Sequence, residues 1–200
     1  MHILPHWTWP GFEGKPIPVW VFTNADTVEL FLNGKSLGVK RFPQDCDQTN
    51  GQTLHLVWSV PYQPGVLKAV GMKRGKIYQV DEVRTAGDPT SIALTPDRSV
   101  IAGDGQDLSF VKVSVLDNDG VVCPNASNEI KFTVNGALAN IVGLDNGDPT
   151  NHEQFQGSSH LVFHGLGLVV IRSNPSSSGK VTVTASSPSL ASASIALVLK

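Results

Sequence analysis

Two tryptophans, Trp7 and Trp9, stand one residue apart near the start of this 200-residue sequence. On an extended chain that spacing puts both indoles on the same side. A pair of flat aromatic faces can hold a sugar ring, and it can equally bury itself against another protein surface. A second group lies in the segment from Leu144 to His160, where Asn146, Asp148, Asn151, His152 and Gln154 offer amide, carboxylate and imidazole partners to hydroxyl groups. Loops of that length in compact domains are usually functional or mobile. Trp7, Trp9, Asn146, Asp148 and His152 are therefore the carbohydrate-contact candidates.

Other clusters read more simply as structure. Asp81 and Glu82 are adjacent, so on a strand they point to opposite faces and serve as solvated edge charges. His160 and His164 share one face of an extended chain but sit roughly 13 Å apart, too far for one metal ion. A bend at Gly165 would weaken that argument, and surface histidines remain the better reading. Asp117, Asn118 and Asp119, and again Asp145, Asn146 and Asp148, carry oxygens suited to calcium. Neither group follows the helix-flanked twelve-residue loop, and Asx-rich turns explain both. No Gly-x-Ser-x-Gly elbow and no Gly-rich phosphate loop occurs. No catalytic residue, metal or cofactor is assigned on these grounds.

The elements that position these residues read as strands. No long segment repeats apolar residues at i, i+3, i+4 and i+7. Short β-branched and aromatic runs are cut instead by Gly, Pro, Asn and Asp. Residues 19–22 and 28–32 come first, and Asn33-Gly34 then signals a tight hairpin into a return strand at 35–39. Runs at 54–60 and 66–72 follow, and Arg74-Gly75 turns the chain into 77–83. Trp20 and Trp58 fall inside strand patterns and are expected in the core. The small, polar stretch "TAGDPTS" at 85–91 marks a boundary. Beyond it, runs at 92–94, 108–116, 130–134, 139–142, 168–172, 181–185 and 194–199 make a second set. The expected fold class is all-β, with two tandem immunoglobulin-like β-sandwich domains over residues 1–87 and 88–200.

Charge narrows the partners. The formal net charge is −2 and only 16% of residues are charged, which argues against nucleic acid and against an anionic membrane surface. No apolar run reaches the roughly 18 residues of a spanning helix. A basic leader with a small-residue cleavage site is not visible, so a mature product or an excised piece is expected. Cys46 and Cys123 fall in different expected domains and in neither C-x-x-C nor His-rich settings, which speaks against a disulfide and against zinc.

Several long segments, in order, resemble one family. "LPHWTWPG", "VWVFTNADTVELFLNGKSLG" and "LVWSVPYQPGVLKAVG" are similar to the immunoglobulin-like domain behind the catalytic barrel of glycoside hydrolase family 2, in its β-galactosidase branch. "PTSIALTPDRSVIAGDGQDLSFVKVSVLDNDG", "GLDNGDPTNHEQFQG" and "FHGLGLVVIRS" are similar to the C-terminal domain of the same enzymes. The resemblance covers almost the whole chain. It implies a parent that hydrolyses terminal β-galactosides with retention, using two glutamates on an upstream β/α barrel. Such a barrel needs about 250 residues and alternating helices, which these segments lack. "HILPHW" is where the family's chain leaves the barrel, so the apolar start looks like a cut end.

The resemblance sets further expectations. The family's acid/base follows an asparagine, which draws attention to Asn128-Glu129, but that pair precedes a strand here and chance explains the match. The expected role is non-catalytic: support of the parent's catalytic barrel, shaping of the substrate approach, or contacts in a homo-oligomer. Most of the aromatic surface at Trp7 and Trp9 is then expected to fill the seam with the barrel, leaving an apolar patch around Trp7, Trp9 and Phe12 in this chain. Two other readings stand beside it: a module binding galactosides or plant-wall glycans, and a bacterial surface adhesion or spacer domain. A periplasmic or secreted bacterial setting is expected over a cytoplasmic one.

Overall fold

Runs of β-branched and aromatic residues favour pleated strands, and Gly, Asn and Pro between them favour turns. The computed structural model describes residues 1–46 and 55–200, and among these it holds sixteen strands and no helix. The architecture is all-β and sandwich-like, as the alternation predicts. By internal packing the chain divides into two units, Met1–Thr85 and Ala86–Lys200.

The first unit contains β1 (His2–Leu4), β2 (Pro16–Phe22), β3 (Thr27–Leu32), β4 (Lys35–Arg41), β5 (His55–Pro61), β6 (Val66–Lys73) and β7 (Lys76–Arg84). They form a three-stranded sheet in the order β1-β2-β5 and a four-stranded sheet in the order β4-β3-β6-β7. The part of the expected strand at Leu54 lies outside the described residues. Asn33-Gly34 joins β3 to β4 with φ of 50° and 80°, the two positive angles that a type I′ hairpin turn requires. Arg74-Gly75 does the same between β6 and β7, at 51° and 74°. Inward residues of both sheets, among them Val19, Val21, Leu30, Leu56, Trp58 and Leu67, form one core.

Two tryptophans change places relative to expectation. Trp7 is fully buried in this core, with Tyr62 edge-on at 5.2 Å and its indole N–H donated to the Gln63 carbonyl at 3.0 Å. Trp20, expected inside, is 42% exposed. The register explains it: on β2 the side chains of Ile17, Val19 and Val21 are the buried set, so the even-numbered positions face outward. A hydrophobic residue type does not override the pleat.

The second unit contains β8 (Ser91–Pro96), β9 (Val100–Ile101), β10 (Leu108–Leu116), β11 (Glu129–Asn135), β12 (Ala139–Asp145), β13 (Ser159–Leu161), β14 (Leu166–Ser173), β15 (Gly179–Ser187) and β16 (Leu190–Leu199). One path runs β12-β14-β10-β8-β16-β15-β11-β13, with β9 beside β16. The link between β8 and β16 is a single parallel pairing, Ser91 with Ala191. Val111, Val113 and Val115 of β10 face Ile130 and Phe132 of β11 and Val181 and Val183 of β15 across a common core. β1, β9 and β13 have two or three residues each, too short to show any period in the sequence.

One turn closes this unit by charge. Asp117 is only 6% exposed, and its carboxylate accepts the amide N–H groups of Gly87 at 2.7 Å, Asp119 at 2.9 Å and Val121 at 2.8 Å. Burial pushes the Asp117 carboxyl up, but the amides of Gly87, Val121, Asp119 and Gly120 outweigh it and hold it below its usual range. The Asp117–Asp119 cluster is thus turn chemistry, with its oxygens occupied by backbone.

Candidate functional site

The long polar loop of the second unit leaves β12 at Asp145 and returns at β13. It is built from successive side-chain turns. Asp145 accepts the amides of Asn146 at 2.7 Å and Gly147 at 3.1 Å. Asn146 accepts the Asp148 amide at 2.9 Å and donates its side-chain N–H to the Leu161 carbonyl at 3.1 Å. Asp148 accepts the amide and the hydroxyl of Thr150 at 2.9 and 2.7 Å. Asn151 accepts the Glu153 amide at 2.6 Å and donates to the Glu153 carboxylate at 2.9 Å. Short polar side chains hydrogen-bonding to backbone two residues on are what lets a segment without strand or helix hold a shape.

These bonds set the loop's electrostatics. The Thr150 amide, followed by the Thr150 hydroxyl and the charge of His164, holds the Asp148 carboxyl below its usual range. The Asn151 side chain, then the Leu161 amide and His160, do so for Glu153. His160 is 4% exposed, not a surface histidine; its Nδ1 lies 2.9 Å from the Leu161 carbonyl and 3.4 Å from the Glu153 carboxylate. Burial follows from its place on β13, opposite Ile130 of β11. His164 sits outside any strand, in a tight turn with Gly165 at φ of 51° and 73°, and its Nδ1 faces the Pro124 carbonyl at 2.9 Å.

A shallow groove of about 250 Å³ runs beside the loop, lined by Asp145, Asn146, Gly147, Leu166, Gly167 and Leu168. Of the five contact candidates it holds Asn146 alone. Asp148 lies half-buried within the loop, and His152 is exposed on it. Trp7 and Trp9 belong to the first unit. Trp7, being buried, presents no face to a sugar. Trp9 is half-buried, stacked on the His6 ring at 4.6 Å and 17°, tilted against Phe12 at 6.0 Å, and its indole N–H is donated to the His6 carbonyl at 2.8 Å. The expected apolar patch around Trp7, Trp9 and Phe12 reduces to Phe12, 43% exposed, and the half-buried Trp9.

The acidic pairs hold structure as well. Asp81 accepts the Ile3 amide at 2.7 Å and so ties β1 to β7, while Glu82 pairs with Arg84. Glu129 lies exposed on β11, opposite Leu161 of β13. Among the described residues no group of three or more His, Cys, Asp or Glu is placed to hold a metal ion. Cys46 and Cys123 are both free and buried, each in a different core.

Residues 92–196, most of the second unit, match glycoside hydrolase family 2 C-terminal domain 5. The chain belongs to glycoside hydrolase family 2. Residues 14–79 match a domain of unknown function, DUF4982. Beta-galactosidase BoGH2A of Bacteroides ovatus is 45% identical over 191 residues, which are 95% of this chain and 21% of that relative. A solved β-glycosidase from Bacteroides vulgatus shares the fold with a TM-score of 0.90 and 36% identity, over 98% of this chain and 24% of that one. A solved β-glucuronidase of family 2 aligns with a TM-score of 0.81 and 26% identity, covering 100% of this chain and 20% of that one. The family is one of glycosidases, and this chain spans about a fifth of the length of the relatives it matches.

Proposed function

We propose that this chain is the non-catalytic C-terminal part of a β-galactosidase-like glycosidase, supporting the parent's catalytic barrel, its substrate approach or contacts between copies. The parent reaction is then hydrolysis of terminal β-galactosides with retention. The observation that carries this reading is the 45% identity to a β-galactosidase along 95% of the chain, which fills only 21% of that relative. The engagement of four acidic side chains supports it. Retention needs two carboxyl groups about 5–5.5 Å apart across a sugar site. Here Asp81 and Asp117 accept backbone amides, and Glu82 and Glu153 bind neighbouring side chains. The test is a chromogenic β-galactoside assay on the purified chain and on the full polypeptide its gene encodes. No turnover by the chain and retention by the full protein are expected; turnover by the chain refutes the reading.

A glycan-binding role draws less support, because Trp7 is buried and the polar ends of Asn146 and Asn151 already serve the loop. Calorimetric titration with galactosides and plant-wall oligosaccharides at millimolar concentration is expected to give no saturable heat.

A further inference from the structure

The three strands of the β1-β2-β5 sheet read "HIL", "PIPVWVF" and "HLVWSVP", without one Asp, Glu, Lys or Arg. Outward positions of a solvated sheet are ordinarily polar. Here the register puts Leu4, Trp20 and Val57 in one outward row and Phe22 beside His55 in the next. Leu4 is 37% and Trp20 42% exposed, and Trp20 and Phe22 lie 5.3 and 5.1 Å from the His55 ring. The outer face of the four-stranded sheet is also apolar in part, but charges break it up: Lys68 stands opposite Glu82, which pairs with Arg84. Interface cores are enriched in aromatic residues and depleted of Lys, Glu and Asp. Of these two faces, as far as the described residues go, the β1-β2-β5 face is the one with that composition.

We propose that this face is a docking surface for the upstream portion of the same polypeptide, with Trp20 as its anchor. The proposal rests on the reading above, that the chain is the C-terminal part of a longer glycosidase. Two observations and one general consideration favour that occupant. The matched domain is a C-terminal one and the chain fills 21% of its relative, so most of such a protein precedes residue 1. β1 is the strand that an upstream segment leads into, and its own Leu4 lies on the face. A tethered neighbour meets an adjoining surface at a high effective concentration. The aromatic rings are tilted by 44° and 37° on an open sheet and form no flat platform for a sugar.

The experiment compares Trp20→Glu in this chain and in the full polypeptide its gene encodes. In this chain the substitution is at an exposed site, and its melting temperature should shift by less than about 4 °C. In the full polypeptide it should speed proteolytic cleavage ahead of β1 by about thirtyfold, the factor for losing a hot-spot side chain. Ile77→Glu, on the charged sheet's outer side, should leave that rate unchanged. An unaltered rate in the Trp20 variant overturns the docking proposal and leaves the functional reading intact. A gene whose reading frame starts at residue 1 removes the functional reading itself. A chain that is dimeric in sedimentation and made monomeric by the substitution assigns the face to a second copy and overturns the proposal. A melting temperature lowered by much more than that in the isolated chain marks Trp20 as part of its own unit's packing and overturns the proposal. Quenching of emission by a galactoside, abolished in Trp20→Phe, assigns it to a glycan.

Discussion

Replacing Asp117 by alanine is expected to destabilise the second unit and leave the first untouched. The carboxylate accepts three backbone amides, from Gly87, Asp119 and Val121. Hydrogen bonds to a charged partner contribute about 1.5–3 kcal/mol each, which sets a ceiling. Gly87 and Asp119 lie at the surface, where water replaces the lost acceptor, so the expected cost is about 2–4 kcal/mol. Asp117→Asn should cost less: one oxygen can still serve Asp119 and Val121, which share Oδ1, but an NH₂ then faces the Gly87 N–H. The units can be followed separately, because all four tryptophans and both tyrosines lie before residue 86. Tryptophan emission reports the first unit alone, whereas circular dichroism reports both. In urea the dichroism transition of the second unit should move down by about 1–2 M, at slopes of 1–3 kcal/mol per molar, while the emission midpoint stays fixed. The folded-state carboxyl is held below its unfolded value, so its contribution is complete above the unfolded value near 3.9 and is lost as pH falls through the lower folded one. The alanine variant should therefore show a flatter acid limb. A shift under about 0.5 kcal/mol, or equal movement of both midpoints, would refute this account of the turn.

Two further outcomes test the second core and the thiols. Gly165→Ala should destabilise the second unit by about 2–5 kcal/mol, because φ is +73° and the added Cβ would lie 2.3 Å from the Cys123 carbonyl oxygen; dichroism in urea measures it. Burial, then the charge of Asp45 on Cys46 and of Asp117 and Asp88 on Cys123, pushes both thiols up. Labelling by an aromatic disulfide near pH 8 should be about a hundredfold slower in the native chain than in urea, where both thiols react.

The main strands were legible because two signals agreed in each. Val28 to Leu32 alternates, and Asn33-Gly34 then supplies a two-residue turn whose twist matches that of the flanking strands. The runs at 108–116 and 181–185 were equally plain, since β10 and β15 bury every second residue against one core. β9 was not legible, because a two-residue strand paired in parallel with β16 is specified by its partner and not by its own pattern. Trp20 departs from expectation for a related reason: residue type suggests burial, while the phase of Ile17, Val19 and Val21 places it outside. His160 reversed in the same way, since its burial depends on the β11 partner that no local pattern names.

The polar loop shows why contact residues are harder to read than strands. Asn146, Asp148 and Asn151 have the side chains that would bind hydroxyl groups, and those same side chains are the ones that fold a segment back on its own amides. Composition cannot separate the two uses, because both need a short polar side chain. What separates them is whether a neighbouring amide lies within reach, and that depends on the backbone path between β12 and β13. The charge-free sheet has the opposite property. A buried strand and an outward face awaiting a partner both exclude Lys and Glu, yet only the second leaves an indole in water, as at Trp20. Charge depletion read from sequence therefore marks a strand as apolar on both sides, and burial of one side alone points to a missing neighbour on the other.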